Sequence, residues 1–170
     1  MTPEYLAIQR EYGTRTTRRS GVPLIHHIDE GLAILGEIAA GDLAMRAYCL
    51  HPFIQADADL AANAGRLGEL TTDPRVLGYA FEYRHVANAA LSTRELATAA
   101  DIALSPLAEV NAMLVADKVQ NYKDFILYHR GSHPRSDALE RYFRLWLERL
   151  GVAEWRFAEL CAAIKKPGDV

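Results

Sequence analysis

Three times in this chain a residue with a short oxygen-bearing side chain stands directly before a proline: Thr2-Pro3, Asp73-Pro74 and Ser105-Pro106. That pairing starts helices. The side-chain oxygen accepts from a free amide of the first turn, and proline suits the first helical position because its missing N–H has no partner there anyway. Apolar residues at three- and four-residue steps follow. Thr2-Pro3-Glu4 opens a helix that Gly13 ends, and the polar, basic stretch from Thr14 to Gly21 is a loop. Pro23 begins a helix to about Ala40 with the stripe Leu24, Ile28, Leu32, Leu35 and Ile38. Asp42 caps the next, which runs through Met45, Tyr48 and Leu50 to His51. Asp73-Pro74 starts a helix to about Leu91. Ser105-Pro106 starts a long one carrying Leu107, Val110, Leu114, Asp117, Asn121, Phe125 and Tyr128. After the turn Gly131-Ser132-His133-Pro134 comes a helix with Tyr142, Phe143, Trp146 and Leu147, ended by Gly151. A last helix holds Trp155, Phe157, Leu160 and Ile164, with Trp146 and Trp155 both assigned to core. No useful period-2 pattern and no internal repeat occurs. The prediction is an all-α fold: one helical bundle of seven or eight helices over residues 1–164, with a frayed tail over 165–170.

Size and charge narrow the function. A chain of 170 residues, half of it hydrophobic, buries a sizeable single core. A net charge of −3 disfavours general nucleic-acid or membrane-surface binding, since both favour basic surfaces. No apolar run approaches the roughly 18 residues of a membrane span, and Met1-Thr2-Pro3-Glu4 is not signal-peptide-like. Cys49 and Cys161 read as two reduced thiols, so a cytoplasmic protein is expected.

The chemistry is carried by two histidines and an aspartate. A lone helical histidine is more often a core or surface residue than a ligand. His27, however, follows a loop containing Arg15, Arg18, Arg19 and Ser20, His51 closes the third helix, and Asp117 lies in an otherwise apolar helix where an unpaired carboxylate is costly. Imidazole and carboxylate groups gathered from different helices are a usual way to hold a divalent metal.

Three blocks extend this. Arg19-Ser20-Gly21-Val22-Pro23-Leu24-Ile25-His26-His27, Ala47-Tyr48-Cys49-Leu50-His51-Pro52-Phe53-Ile54-Gln55-Ala56 and Val115-Ala116-Asp117-Lys118-Val119-Gln120-Asn121 occur in this order. Together they resemble the RelA/SpoT-type hydrolase domain of the HD superfamily, all-helical metal-dependent phosphohydrolases. The resemblance covers roughly residues 5–125. The helices of 126–164 are expected to pack on that part, and the stretch from Tyr122 through Arg135 is similar to small HD-like proteins of tailed bacteriophages.

The resemblance implies His27, His51 and Asp117 as metal ligands. It also implies nucleotide contacts from Asn121 and from the Arg15, Arg18, Arg19, Ser20 loop. Pro52 stands in place of the fourth ligand, an aspartate, and Gln55 and Ala56 in place of the Glu-Asp pair that helps activate and position water. A divalent metal such as Mn²⁺ is therefore expected to be held more weakly, and hydrolysis to lose several orders of magnitude. Pro52 should also end or kink the third helix. Asp57 or Asp59 would rescue the site if the backbone swung one of them inward; otherwise Asp57 caps a helix over residues 58–67. Gln55, Arg84, Asn88 and Lys118 are further ligand-contact candidates, with a solvated face the alternative for Arg84 and Asn88.

Three functions remain at this point. One is a binder that captures a phosphorylated nucleotide without efficient turnover, such as a phage sponge for a host alarmone or immune messenger, in the host cytoplasm. Another is an active phosphohydrolase, and the third an interaction scaffold. Homo-oligomers through the aromatic C-terminal helices are compatible with each.

Overall fold

Thr2 caps the first helix as expected, its hydroxyl accepting from the Tyr5 N–H at 3.3 Å. The structure, a computed structural model, describes residues 1–18, 20–92 and 96–164. Among these the chain is all-α, with the helices α1 (Pro3–Tyr12), α2 (Ile25–Glu37), α3 (Asp42–Leu50), α4 (Asp57–Asn63), α5 (Leu67–Leu70), α6 (Pro74–Ser92), α7 (Ala108–Tyr128), α8 (Ser136–Arg149) and α9 (Glu154–Ile164). All but the single turn α5 are at least seven residues long. Arg19 and the tail 165–170 lie outside the described residues.

Helix α7 is the centre, packing against α2, α3, α6, α8 and α9. A helix surrounded in this way is buried on more than one stripe, and Ala116 to Gln120 are all buried. Three of those five residues are polar, so each requires a partner inside the protein. Helix α3 packs against α1, α2, α6 and α7 and delivers His51 to the same centre.

Several boundaries differ from the sequence reading. Pro23 does not begin α2: the chain from Thr14 to Leu24 closes first, through an isolated antiparallel bridge between Thr16 and Pro23 and a turn at Gly21, whose φ is +70°. Thr17 N–H donates to the Val22 carbonyl at 2.8 Å and Leu24 N–H to that of Arg15 at 2.9 Å. Ser105-Pro106 likewise leads into α7 only at Ala108, because the Ser105 hydroxyl takes the Leu107 N–H in a turn. Gly41, not Asp42, is the cap residue of α3. The helix expected over 58–67 is broken into α4, a 3-10 turn (Ala64–Arg66) and α5, with Gly65 in the turn lowering helix stability. Asp57 does not cap α4. Ala56 holds that position, and its N–H is taken by the Asp59 carboxylate at 3.3 Å. Trp146 is core, but Trp155 is 67% exposed and is not. No helix among the described residues is long and apolar enough to cross a membrane.

Candidate metal centre

Pro52 shapes the approach to the site. Helix α3 stops at Leu50, and His51-Pro52-Phe53 forms a 3-10 turn closed by Ile54 N–H on the His51 carbonyl at 3.1 Å. The turn leaves the His51 ring buried between Tyr48 and Tyr83, with ring centroids 4.7 and 5.0 Å away. His27 comes from the first turn of α2, and Asp117 from the buried middle of α7.

Ligand atoms of His27, His51 and Asp117 all lie within 4.8 Å of one another. His27 Nε2 is 3.3 Å from His51 Nε2 and 3.6 Å from Asp117 Oδ1. Neighbouring ligands on a tetrahedral cation with bonds of about 2.1 Å are about 3.4 Å apart, so the spacing fits a shared ion.

Proton placement points the same way. His51 Nδ1–H donates to the Tyr48 carbonyl at 2.6 Å, which leaves Nε2 with a bare lone pair. His27 Nδ1 faces Gln120 Oε1 at 2.7 Å. The orientation of that amide is set from behind, since Gln120 Nε2 donates to Glu30 at 3.1 Å and to Asp124 at 2.7 Å. Its oxygen must therefore face His27, and Nδ1 must carry the proton. Two imidazole lone pairs and a carboxylate oxygen thus converge on one region. A proton on His27 Nε2 satisfies part of that arrangement, and a divalent cation satisfies all of it. Histidine ligands whose second nitrogen donates to a fixed acceptor are typical of metal sites.

The electrostatics keep these groups in ligand form. Burial, with the neighbouring His27 adding to it, pushes His51 down to about 3, so the ring is neutral at physiological pH. Burial alone raises Asp117, but Lys118 and the two histidines more than offset it and bring the carboxyl down to about 2. Lys118 Nζ donates to Asp117 Oδ2 at 2.8 Å while lying 5.0 Å from the Trp146 ring centroid. Asn121 Nδ2 donates to Oδ1 at 2.8 Å.

A cleft of about 560 Å³ opens over the three ligands, lined also by Pro52, Gln55, Asp59, Lys118 and Asn121. The sequence reading thus placed these residues together. It did not do so for others. Arg15 turns back onto α1, donating to the Tyr12 carbonyl at 3.4 Å and pairing with Glu11 at 3.6 Å. Arg18 is exposed, and Ser20 is hydrogen-bonded to Thr17; neither lines the cleft, though Thr17 does. Arg84 and Asn88 brace the chain after His51 and do not line the cleft. Arg84 donates to the Ile54 carbonyl at 2.6 Å and pairs with Asp57, while Asn88 clamps Gln55 by bonds of 2.8 and 3.0 Å. The Asp57 side chain is 97% exposed, so it does not complete the metal site, and Asp59 is used as the α4 cap.

Sequence reasoning missed the residues that orient the ligands. Gln120, Glu30 and Asp124 fix His27, while Tyr48 and Tyr83 enclose His51. Gln120 carried one signal: it lies three residues after Asp117 within the third block, on a helix face already assigned to the site. Neither a family model, nor a curated protein, nor a solved structure matches this chain, so the reading of the centre rests on its own geometry.

Proposed function

We propose that the protein captures a phosphorylated nucleotide on a divalent cation held by His27, His51 and Asp117, and holds it without efficient turnover. The observation that carries this reading is the convergence of His27 Nε2, His51 Nε2 and an Asp117 oxygen within 4.8 Å of one another, with both histidines oriented by a hydrogen bond at Nδ1. When bound, the cation supplies the positive charge on which a phosphate oxygen rests. The chain's own groups hold the ligands in form: Gln120 fixes the His27 tautomer, the Tyr48 carbonyl fixes that of His51, and Lys118 confines Asp117.

The same cleft is poor in groups that would move a proton. Pro52 and Ala56 carry none, and Gln55 cannot take one at neutral pH. Asp124 is tied to Gln120 and, at 2.9 Å, to Lys123. Membership of the HD superfamily belongs to the same proposal; the all-α bundle and the His/His/Asp group support it. In a phage setting the captured molecule would be a host nucleotide signal. One observation favours an active phosphohydrolase instead: Asp59 lines the cleft, and a carboxylate there is a candidate base.

Incubating purified protein with a nucleotide panel and Mn²⁺, then assaying the supernatant before and after heat denaturation, separates these readings. Intact nucleotide released on heating is the expected result. New product would assign an enzyme, and no depletion of any nucleotide would remove both.

A further inference from the structure

The charges that line the cleft speak to how many phosphates it takes. Among the described lining residues, four side chains carry a formal charge at neutral pH apart from the histidines: the Asp59, Asp117 and Asp124 carboxylates against the Lys118 ammonium. Three negatives and one positive leave the lining at −2, and a divalent cation brings it to neutrality. Among the described residues that line the cleft, no surplus positive charge then remains. Lys118 is spent on Asp117, and Lys123 on Glu30 and Asp124 at 2.7 and 2.9 Å. Arg84 is held by Asp57 and the Ile54 carbonyl, and Arg15 by Glu11. Of the described lining residues, a chain of phosphates extending from the metal would meet Asp59 or Asp124 rather than a free cation, and like charges brought together are costly.

The uncharged lining points to the rest of the ligand. Gln55 lines the cleft, and its Oε1 is buried with no hydrogen-bond partner. Asn88 fixes the orientation of that amide by accepting from Nε2. A bare carbonyl oxygen repels phosphate, which only accepts, and suits a hydroxyl or amino donor. Val22, Pro23, Leu24, Leu91, Leu139 and Phe143 add an apolar wall around the polar floor. The volume is that of a site for one drug-sized molecule.

We propose that the ligand is a nucleoside monophosphate: one phosphate on the metal, and a sugar hydroxyl or base amine donating to Gln55 against the apolar wall. This rests on the nucleotide-binding reading above and narrows it away from polyphosphorylated signals.

The test is equilibrium dialysis at fixed free Mn²⁺ with matched mono-, di- and triphosphates of adenosine, guanosine, cytidine and thymidine, and with inorganic phosphate. In at least one base series the monophosphate should bind about tenfold tighter than the triphosphate and tighter than inorganic phosphate. Asp59→Asn, at an exposed position, should narrow the gap between mono- and triphosphate. Gln55→Leu should narrow that between monophosphate and inorganic phosphate. Triphosphates binding as tightly as monophosphates in every series that binds would overturn the proposal while leaving a nucleotide binder. An unchanged gap in Gln55→Leu would overturn the placement of the neutral half. Mn²⁺ binding without binding of any nucleotide would overturn the nucleotide reading itself, and this inference with it.

Discussion

His27 on α2 and Gln120 on α7 are joined by a 2.7 Å hydrogen bond that decides which nitrogen of the histidine is basic. The carboxylates of Glu30 and Asp124 hold the Gln120 amide with its oxygen forward. Gln120→Leu removes the acceptor for Nδ1–H and frees the ring to rotate or change tautomer. Loss of such an outer partner typically weakens metal affinity by about 10- to 100-fold. Metal titration of the variant should show a drop of that size. Unchanged affinity would mean that the ring is held by its packing alone.

Metal binding should appear as stability. A ligand at about 100 times its dissociation constant adds about 2.7 kcal/mol to a protein that binds it only when folded. For a chain of this length that corresponds to a rise in Tm of about 5–10 °C. Mn²⁺ or Zn²⁺ should produce the shift, a chelator should reverse it, and His51→Ala should abolish it. A Tm indifferent to divalent cations in the wild-type protein would remove the metal centre.

Much of this centre was legible in the sequence. The three blocks named His27, His51 and Asp117, and the fold brings their nitrogen and carboxylate atoms within 4.8 Å of one another. Pro52 announced the end of α3, since proline lacks the N–H and restricts the residue before it. The cap-plus-proline rule located the starts of α1 and α6. It placed α7 at Ser105-Pro106, two residues early, because a hydroxyl before proline can close a turn as readily as cap a helix. What could not be read was the allocation of polar side chains. Arg84, Asn88 and the basic loop have the composition of a ligand site, yet the first two hold the chain after His51 and Arg15 folds onto its own helix. Only three-dimensional neighbours separate a brace from a contact.

Gly31 makes room for Tyr48. A Cβ at Gly31 would overlap the Tyr48 ring, whose hydroxyl reaches the carbonyl and Nε2 of His27 at 3.4 Å each. The backbone carbonyl of Tyr48 holds His51. Gly31→Ala should therefore cost about 1–3 kcal/mol by overpacking and weaken metal binding together with stability. Urea unfolding and metal titration of one preparation test the coupling. A loss of stability with metal affinity intact would separate Tyr48 from the site.

Glu4, fully buried, ties α1 to α3 and to the segment before α6, accepting from Arg46 at 2.8 Å and from the Thr71 hydroxyl at 2.6 Å. Burial raises its carboxyl, but these bonds more than offset it, so the folded value lies below the ordinary 4.5. The unfolded chain thus binds the proton more readily. The stabilisation is present above the unfolded value and is lost as pH falls through the folded one. Wild-type stability should decline between about pH 5 and pH 3. Glu4→Gln should be less stable at neutral pH by about 3 kcal/mol, because Arg46 loses its buried partner, and should show a shallower acid slope. Equal slopes in the two proteins would assign the acid sensitivity to other carboxylates.

Adding carboxylates should separate binding from chemistry. Pro52 lines the cleft beside His51, so Pro52→Asp adds an anionic group within the lining and should tighten metal binding by about tenfold. Hydrolysis should not return with it, because residue 55 still has no group that takes a proton. Adding Gln55→Glu supplies one, but at a cost set by Asn88. The Asn88 amide nitrogen is committed to the residue-55 carbonyl, so its Oδ1 faces the residue-55 side chain and now accepts from Gln55 Nε2 at 2.8 Å. A glutamate would oppose that oxygen with another acceptor, a loss of about 1–3 kcal/mol. The double variant should therefore bind metal more tightly, melt lower than Pro52→Asp, and be the first of the series to release nucleotide product. Product from Pro52→Asp alone would show that Gln55 is not what prevents turnover.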